Sequence, residues 1–280
     1  MGRKPDAILA VGAVLSALVA LSGFDTAAGA ASPSADRFQP HRASYELLLE
    51  PGGGDGSIAS AGGRLDFEWA DACDGWAVKQ RTRVVLGQSD GGALDFGWAL
   101  TTWEAKDGLD FDFVIQRYQD GEVYETVRGE AYLEGHGAHG QAVFEEPVAR
   151  TVELPDGTVF PTDHTFRMLD AAAAGELPVY LLIFDGASEE DGLAGVSTAS
   201  AGRVPADRPT TLGSDLLADS PSHRLVMAYY PPYGEGELPD TEVSLRVFPN
   251  GVAESFVFDY GDFALRARLT ELEALPRPEC

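Results

Sequence analysis

Positive charge and cysteine are both scarce in this sequence. Twenty Lys and Arg stand against 45 Asp and Glu, a formal net charge of −25 over 280 residues. A surface of that sign repels nucleic acid and anionic headgroups, which are bound by neutralising Lys and Arg, so nucleic acid is not an expected partner. Only two cysteines occur, Cys73 and Cys280. That excludes a thiolate metal cluster and a C-x-x-C redox pair, because both need cysteines at close spacing. The five histidines are dispersed. His136 and His139 lie near each other, but in a glycine-rich stretch (135–140) that reads as a loop and offers zinc no further ligands. There is no calcium-loop spacing and no phosphate-cradling Gly-Lys-Thr loop. No metal or cofactor is expected.

What the first thirty residues do have is an export signal. Arg3 and Lys4 form a positive start, Ala7–Leu21 is almost uninterruptedly apolar, and Ala28-Gly29-Ala30 supplies small residues at the positions a signal peptidase reads. The apolar run is shorter than the roughly 20 residues that span a bilayer. Residues 1–30 are therefore expected to be cleaved, leaving a chain that does not span the membrane. No cysteine near the new terminus can accept a lipid. In an oxidising compartment Cys73 and Cys280 are expected to pair. Such a bridge would enclose most of the mature chain and pin the final strand against the Arg64–Trp76 region. A buried free thiol at Cys73 and an intermolecular bond through Cys280 are the alternatives.

Residues 31–40 are polar, carry two prolines at Pro33 and Pro40, and read as a flexible leader. From 41 to 280 the chain reads as one domain with a persistent period of two. Tyr45, Leu47 and Leu49 alternate with polar neighbours, as do Leu65, Phe67 and Trp69, then Leu109, Phe111, Phe113 and Ile115. Asp74-Gly75, Asp120-Gly121, Asp156-Gly157 and Asn250-Gly251 mark reversals. One helix interrupts the strands. It starts at Pro161-Thr162-Asp163 with Thr162 as cap, buries Phe166, Leu169 and Ala173, and stops at Gly175. The expected fold is all-β: roughly a dozen strands in a highly curved antiparallel sheet, spiral or open barrel, with one central or covering helix.

Catalytic signals are weak. Gly87-Gln88-Ser89-Asp90-Gly91 matches the G-x-S-x-G nucleophile pattern, but that elbow needs a strand-to-helix turn, and a second strand follows here. His164, at the start of the helix, either bonds the neighbouring strand or lines a groove beside Phe160 and Phe166. Trp76 and the other strand aromatics, among them Phe67, Trp69, Trp98, Trp103, Phe111 and Phe113, suit either a core or a curved sheet wrapped around an apolar or glycan ligand. No catalytic set emerges, and an enzyme is not expected.

Several segments together carry a resemblance. His41-Arg42-Ala43 before the Tyr45 strand, the Cys73 neighbourhood ending in Gly75-Trp76, Phe160-Pro161-Thr162-Asp163-His164-Thr165 and the late cysteine are similar to the envelope-integrity protein B family of α-proteobacteria, DUF1849. The likeness runs from about His41 to Cys280. It implies a periplasmic protein with a spiral β-fold around a central helix, broadly similar to lipoprotein-carrier folds such as LolA and LolB. It also implies a disulfide matching Cys73 and Cys280. The function it implies is maintenance of the cell envelope as a non-catalytic binding or scaffolding module, with an unidentified envelope protein, glycan or lipid as partner. Two alternatives stand beside it: a carrier for an acylated molecule or lipoprotein, and a hydrolase of envelope lipid or glycan working through Ser89 or His164.

Overall fold

Alternation with a period of two shapes the chain from His41 onward. A computed structural model describes residues 32–188, 191–232 and 238–280, so the signal segment expected at 1–30 lies outside the described residues. The first half contains a short helix α1 (Pro33–Arg37), then β1 (His41–Gly54), β2 (Ile58–Asp71), β3 (Gly75–Gln88), β4 (Ala93–Ala105), β5 (Asp110–Gln119), β6 (Glu122–Leu133), β7 (Gly140–Glu146), β8 (Arg150–Leu154) and β9 (Thr158–Val159). Helix α2 (Pro161–Ala174) follows, then β10 (Val179–Phe184), β11 (Leu193–Val204), β12 (Ser222–Tyr230), β13 (Thr241–Val247), β14 (Ala253–Asp259) and β15 (Phe263–Ala274).

Among the described residues these strands form one 15-stranded sheet, running from β8 back through β1 and then from β15 down to β9. Strand β1 is its hinge, paired antiparallel to β2 on one side and to β15 on the other. The final strand thus adds to β1 and not to the Arg64–Trp76 region. The two sheet edges, β8 and β9, are consecutive in the chain, which leaves a nearly closed antiparallel barrel or spiral. Its one parallel pair is β9 with β10, joined by the crossover through α2.

Turn chemistry sets the hairpins in detail. Asp120 and Gly121 both have positive φ (53° and 83°), the mirror-image turn that matches strand twist. At the β13–β14 reversal, Gly251 N–H donates to Phe248 O, so Pro249 and Asn250 are the central residues and Gly251 (φ 86°) is the left-handed bulge that follows. A Cβ there would lie 2.5 Å from the Phe38 ring. Between β2 and β3, Cys73 (φ 69°) takes the left-handed position, in place of Asp74-Gly75, and Asp71 Oδ1 accepts its N–H at 3.0 Å.

Residues 32–40 are not a loose leader. Ser32 Oγ caps Ser34 N, and Phe38 is buried among Trp69, Trp76 and Phe166, with ring centroids at 4.3, 5.1 and 5.6 Å. Burial of that ring offsets part of the entropy of ordering the strap. Helix α2 lies between two parts of the curved sheet. Phe166 packs into that aromatic group, while Met168, Leu169 and Ala172 pack against Ile183, Val196 and Leu225. Gly175 ends the helix in the left-handed conformation (φ 76°).

The helix start differs from expectation. Phe160 occupies the N-cap position and has no acceptor in its side chain, while Thr162 already lies inside the first turn. The cap is supplied from β4: the Glu104 carboxylate accepts Thr162 N–H at 2.7 Å and Asp163 N–H at 2.8 Å. A buried carboxyl group thus replaces the local cap and satisfies two of the helix's free N–H groups.

Candidate functional site

Beneath α2 the interior is incompletely filled. A cavity of about 320 Å³ lies between the helix and the inner faces of β1, β2, β12, β13 and β14. Pro161, His164, Thr165 and Met168 line it from the helix, and their i, i+3, i+4, i+7 spacing is one helical face. Met227, Val243, Leu245, Phe256 and Phe258 contribute apolar lining from β12, β13 and β14, and Leu65, Phe67 and Trp69 from β2. A few polar groups interrupt this lining: His41, Gln80, Asp185 and Tyr229. No Lys or Arg is among the lining residues.

Burial governs the electrostatics here. The His164 imidazole is pushed down to about 4 by desolvation, with the nearby Arg167 charge adding to the effect. It is therefore neutral at neutral pH, and its buried Nε2 has no hydrogen-bond partner. Trp69 Nε1, from another lining residue, is likewise buried and unpartnered. His41 is also held below its ordinary value by burial; its Nδ1 lies 2.8 Å from Gln39 O, so Nδ1 carries the proton and Nε2 is the acceptor. Asp185 is raised by burial, although its Oδ1 accepts Ala187 N–H and Ser188 N–H, both at 2.8 Å. Burial also pushes Glu104 up to about 8, against the lowering effect of its two backbone donors.

Of the four residues set apart by sequence for a groove, His164, Phe160, Phe166 and Trp76, only His164 lines the cavity, joined there by Phe67 and Trp69 from the wider set of strand aromatics. Phe160 stacks on Phe111 at 5.1 Å in a separate aromatic cluster with Phe113, Phe144 and Phe184. Phe166 stacks on Trp69 at 5.8 Å and meets Trp76 edge-on at 5.5 Å, so both support the Trp69 wall from behind. Ser89 sits in the exposed β3–β4 turn with its hydroxyl donating to Gly56 O at 2.6 Å. It and the buried His164 are not brought together as nucleophile and base. His139 lies in the exposed β6–β7 turn near Glu134 and Asp156 at 3.4 and 3.5 Å. No cluster of three metal-ligating side chains exists among the described residues.

Cys73 and Cys280 are bonded, with Cα atoms 5.8 Å apart. The C-terminal tail reaches that bond by lying across the N-terminal strap. Leu275 N–H donates to Pro40 O at 2.8 Å, Gln39 Nε2 donates to Leu275 O at 3.0 Å, and Arg277 Nη2 donates to Phe38 O. The strap is fastened to α2 as well, because Ser32 and Ser34 hydroxyls and the Arg37 guanidinium all donate to Asp170. Disulfide, tail and strap thus form one clasp that holds Phe38 beside the cavity residues His41 and Trp69.

Sequence reasoning missed several cavity residues. Gln80 carried a readable signal, since it stands in the same register as the inward Thr82, Val84 and Leu86 of β3. Asp185 and Tyr229 carried none, because their inward direction depends on how β10 and β12 curve around α2.

Residues 32–276 match the EipB-like family. A relative from Brucella abortus (strain 2308), the cell envelope integrity protein EipB, is 31% identical over 261 residues, covering 90% of this chain and 89% of the relative. A solved structure from Brucella abortus, described as a beta-barrel-like protein of domain of unknown function DUF1849, aligns with a TM-score of 0.77 and 26% identity. That alignment covers 86% of this chain and 99% of the other.

Proposed function

The chain belongs to the EipB-like family, and on that premise we propose that it is a periplasmic protein of cell-envelope integrity that acts without catalysis, by binding. In this reading residues 1–30 are removed on export and the remainder works as a single domain. The name of its Brucella relative supports the envelope role. The observation that carries the binding role is the cavity of about 320 Å³ bounded by the curved sheet and α2. It is mostly apolar with a few convergent polar groups, the composition of a small-molecule site and not of a fully packed core.

The same cavity favours the carrier reading, in which an acyl chain is shielded from water, each buried methylene contributing about 0.8 kcal/mol. Kinship with lipoprotein-carrier folds such as LolA and LolB belongs to this proposal. A deletion strain tests it. Loss of the gene is expected to raise sensitivity to detergent and to wall-directed antibiotics, with rescue by the native gene but not by Val243→Phe, whose ring fills the cavity. Unchanged sensitivity in a strain lacking a second copy contradicts the envelope role. Full rescue by the filled variant contradicts the cavity's part in it.

A further inference from the structure

We infer that the cavity beneath α2 takes a neutral, single-chain amphiphile whose uncharged oxygen is hydrogen-bonded by Trp69 Nε1 and His164 Nε2, and that it discriminates against carboxylates and phosphates. This rests on the reading of the interior as a binding site and adds the chemistry of the occupant. The first observation is a matter of satisfaction. Among the described residues four buried side-chain polar atoms lack a partner: Glu50 Oε2, Trp69 Nε1, His164 Nε2 and Thr198 Oγ1. Two of the four belong to residues lining this one cavity. Buried donors without partners are uncommon in folded proteins and call for an explanation, and a site built to meet a polar ligand supplies one. Indole Nε1 can only donate, so the ligand must offer an acceptor there. Neutral imidazole donates at one nitrogen and accepts at the other, so His164 suits an ester carbonyl or a hydroxyl equally well.

The second observation is charge. A carboxylate or phosphate inside the cavity would meet no lining Lys or Arg, and would lie in a wall that contains Asp185. Its desolvation would go uncompensated. The one feature able to receive an anion, the N-terminus of α2, is already occupied by Glu104 through Thr162 N–H and Asp163 N–H. His164 also remains uncharged, since burial holds it near 4. The protein's own carboxyl group thus takes up the helix N–H donors and leaves the cavity to neutral groups.

Size and lining define the rest of the ligand. The volume stands at the small end of ligand pockets, which run from about 300 to 1,000 Å³, enough for one aliphatic chain and too little for a two-chain lipid. Met168 and Met227 give the wall two side chains that adapt to chain shape.

The test uses the full exported chain and three probes of equal length: dodecane, methyl dodecanoate and dodecanoate. Titration calorimetry at neutral pH is expected to rank the methyl ester above the hydrocarbon, and dodecanoate at least roughly tenfold weaker than its ester. Trp69→Phe keeps the ring and removes the donor. It is expected to weaken the ester by roughly threefold to tenfold while leaving dodecane unchanged, and the dodecane affinity controls for folding. His164→Leu should act in the same direction, with partial recovery in His164→Gln. Equal affinity for dodecanoate and its ester, or an unaltered ester affinity in Trp69→Phe, overturns this inference alone. Failure of all three probes to bind also overturns the reading of the interior as a binding site.

Discussion

Glu104 offers the sharpest physical test of the interior. Its side chain is buried under α2 and holds two helix N–H groups at 2.7 and 2.8 Å, yet burial raises it to about 8 from 4.5. A carboxyl raised on folding binds its proton more tightly in the native state. Its contribution to stability is therefore complete below the unfolded value and is lost as pH rises through 8. His164 acts in the opposite sense, because it is depressed from 6.5 to about 4. The stability it confers is present above 6.5 and lost as pH falls toward 4. At pH 6.5 the unfolded imidazole is still half protonated, and His41 and His223 are lowered by burial in the same sense. These histidines therefore add stability between 6.5 and 8, and the carboxyl is isolated only by comparison with a variant that lacks it. One group releasing its native proton across that window destabilises the fold by roughly 1.5 kcal/mol.

Urea denaturation followed by tryptophan fluorescence, at pH 6.5 and 8, measures that difference, with Trp69 and Trp76 as buried reporters. Glu104→Gln resembles the protonated acid and has no proton to lose. It is expected to cost about 1 kcal/mol at pH 6.5, where its amide leaves one helix donor less well satisfied, and to remove the loss between 6.5 and 8. A native protein whose stability falls no further than that of Glu104→Gln over that interval would refute the reasoning. The two N–H donors and the helix dipole would then be holding the carboxylate ionised.

Four further variants probe the clasp and the turn beside it. Cys280→Ser is expected to lower stability by up to about 5 kcal/mol on loop-closure grounds, less where the tail's own bonds to Phe38 and Pro40 hold it in place. The Cys73→Ser, Cys280→Ser pair should add little beyond either change alone, which guanidinium midpoints will show. Phe38→Ala removes a ring that is 1% exposed and should cost about 3–5 kcal/mol in the same assay. Gly251→Ala combines a φ of 86° with a Cβ 2.5 Å from the Phe38 ring; a loss of about 2 kcal/mol or more is expected by thermal denaturation.

The strands were legible because their period of two survives in Leu65, Phe67 and Trp69 and in Phe111, Phe113 and Ile115, where one face is core and the other solvent. The helix was legible from its stripe and from Gly175. What local pattern does not encode is partnership across long separations. The placement of β1 between β2 and β15 depends on which edge the last strand finds. The cap of α2 comes from Glu104, 58 positions earlier in the chain, so Thr162 was the reasonable local choice and the wrong one. The strap was misjudged for the same reason. Ser32–Pro40 has one apolar anchor, Phe38, and its value appears only when Trp69, Trp76 and Phe166 are assembled around it. In the cavity, His164 stood out as a histidine on an apolar helix face. Trp69 was named only among the strand aromatics that suit core or ligand alike, since an inward tryptophan is ordinary core and its unsatisfied N–H is a property of the assembled wall.

Native mass spectrometry of the protein purified from its own periplasm tests the central claim, that this fold works by holding an envelope component inside the sheet. The account predicts a population carrying one small neutral amphiphile, lost on Val243→Phe. Recovery of the chain bare in every preparation, or with a bound mass indifferent to that substitution, would contradict it.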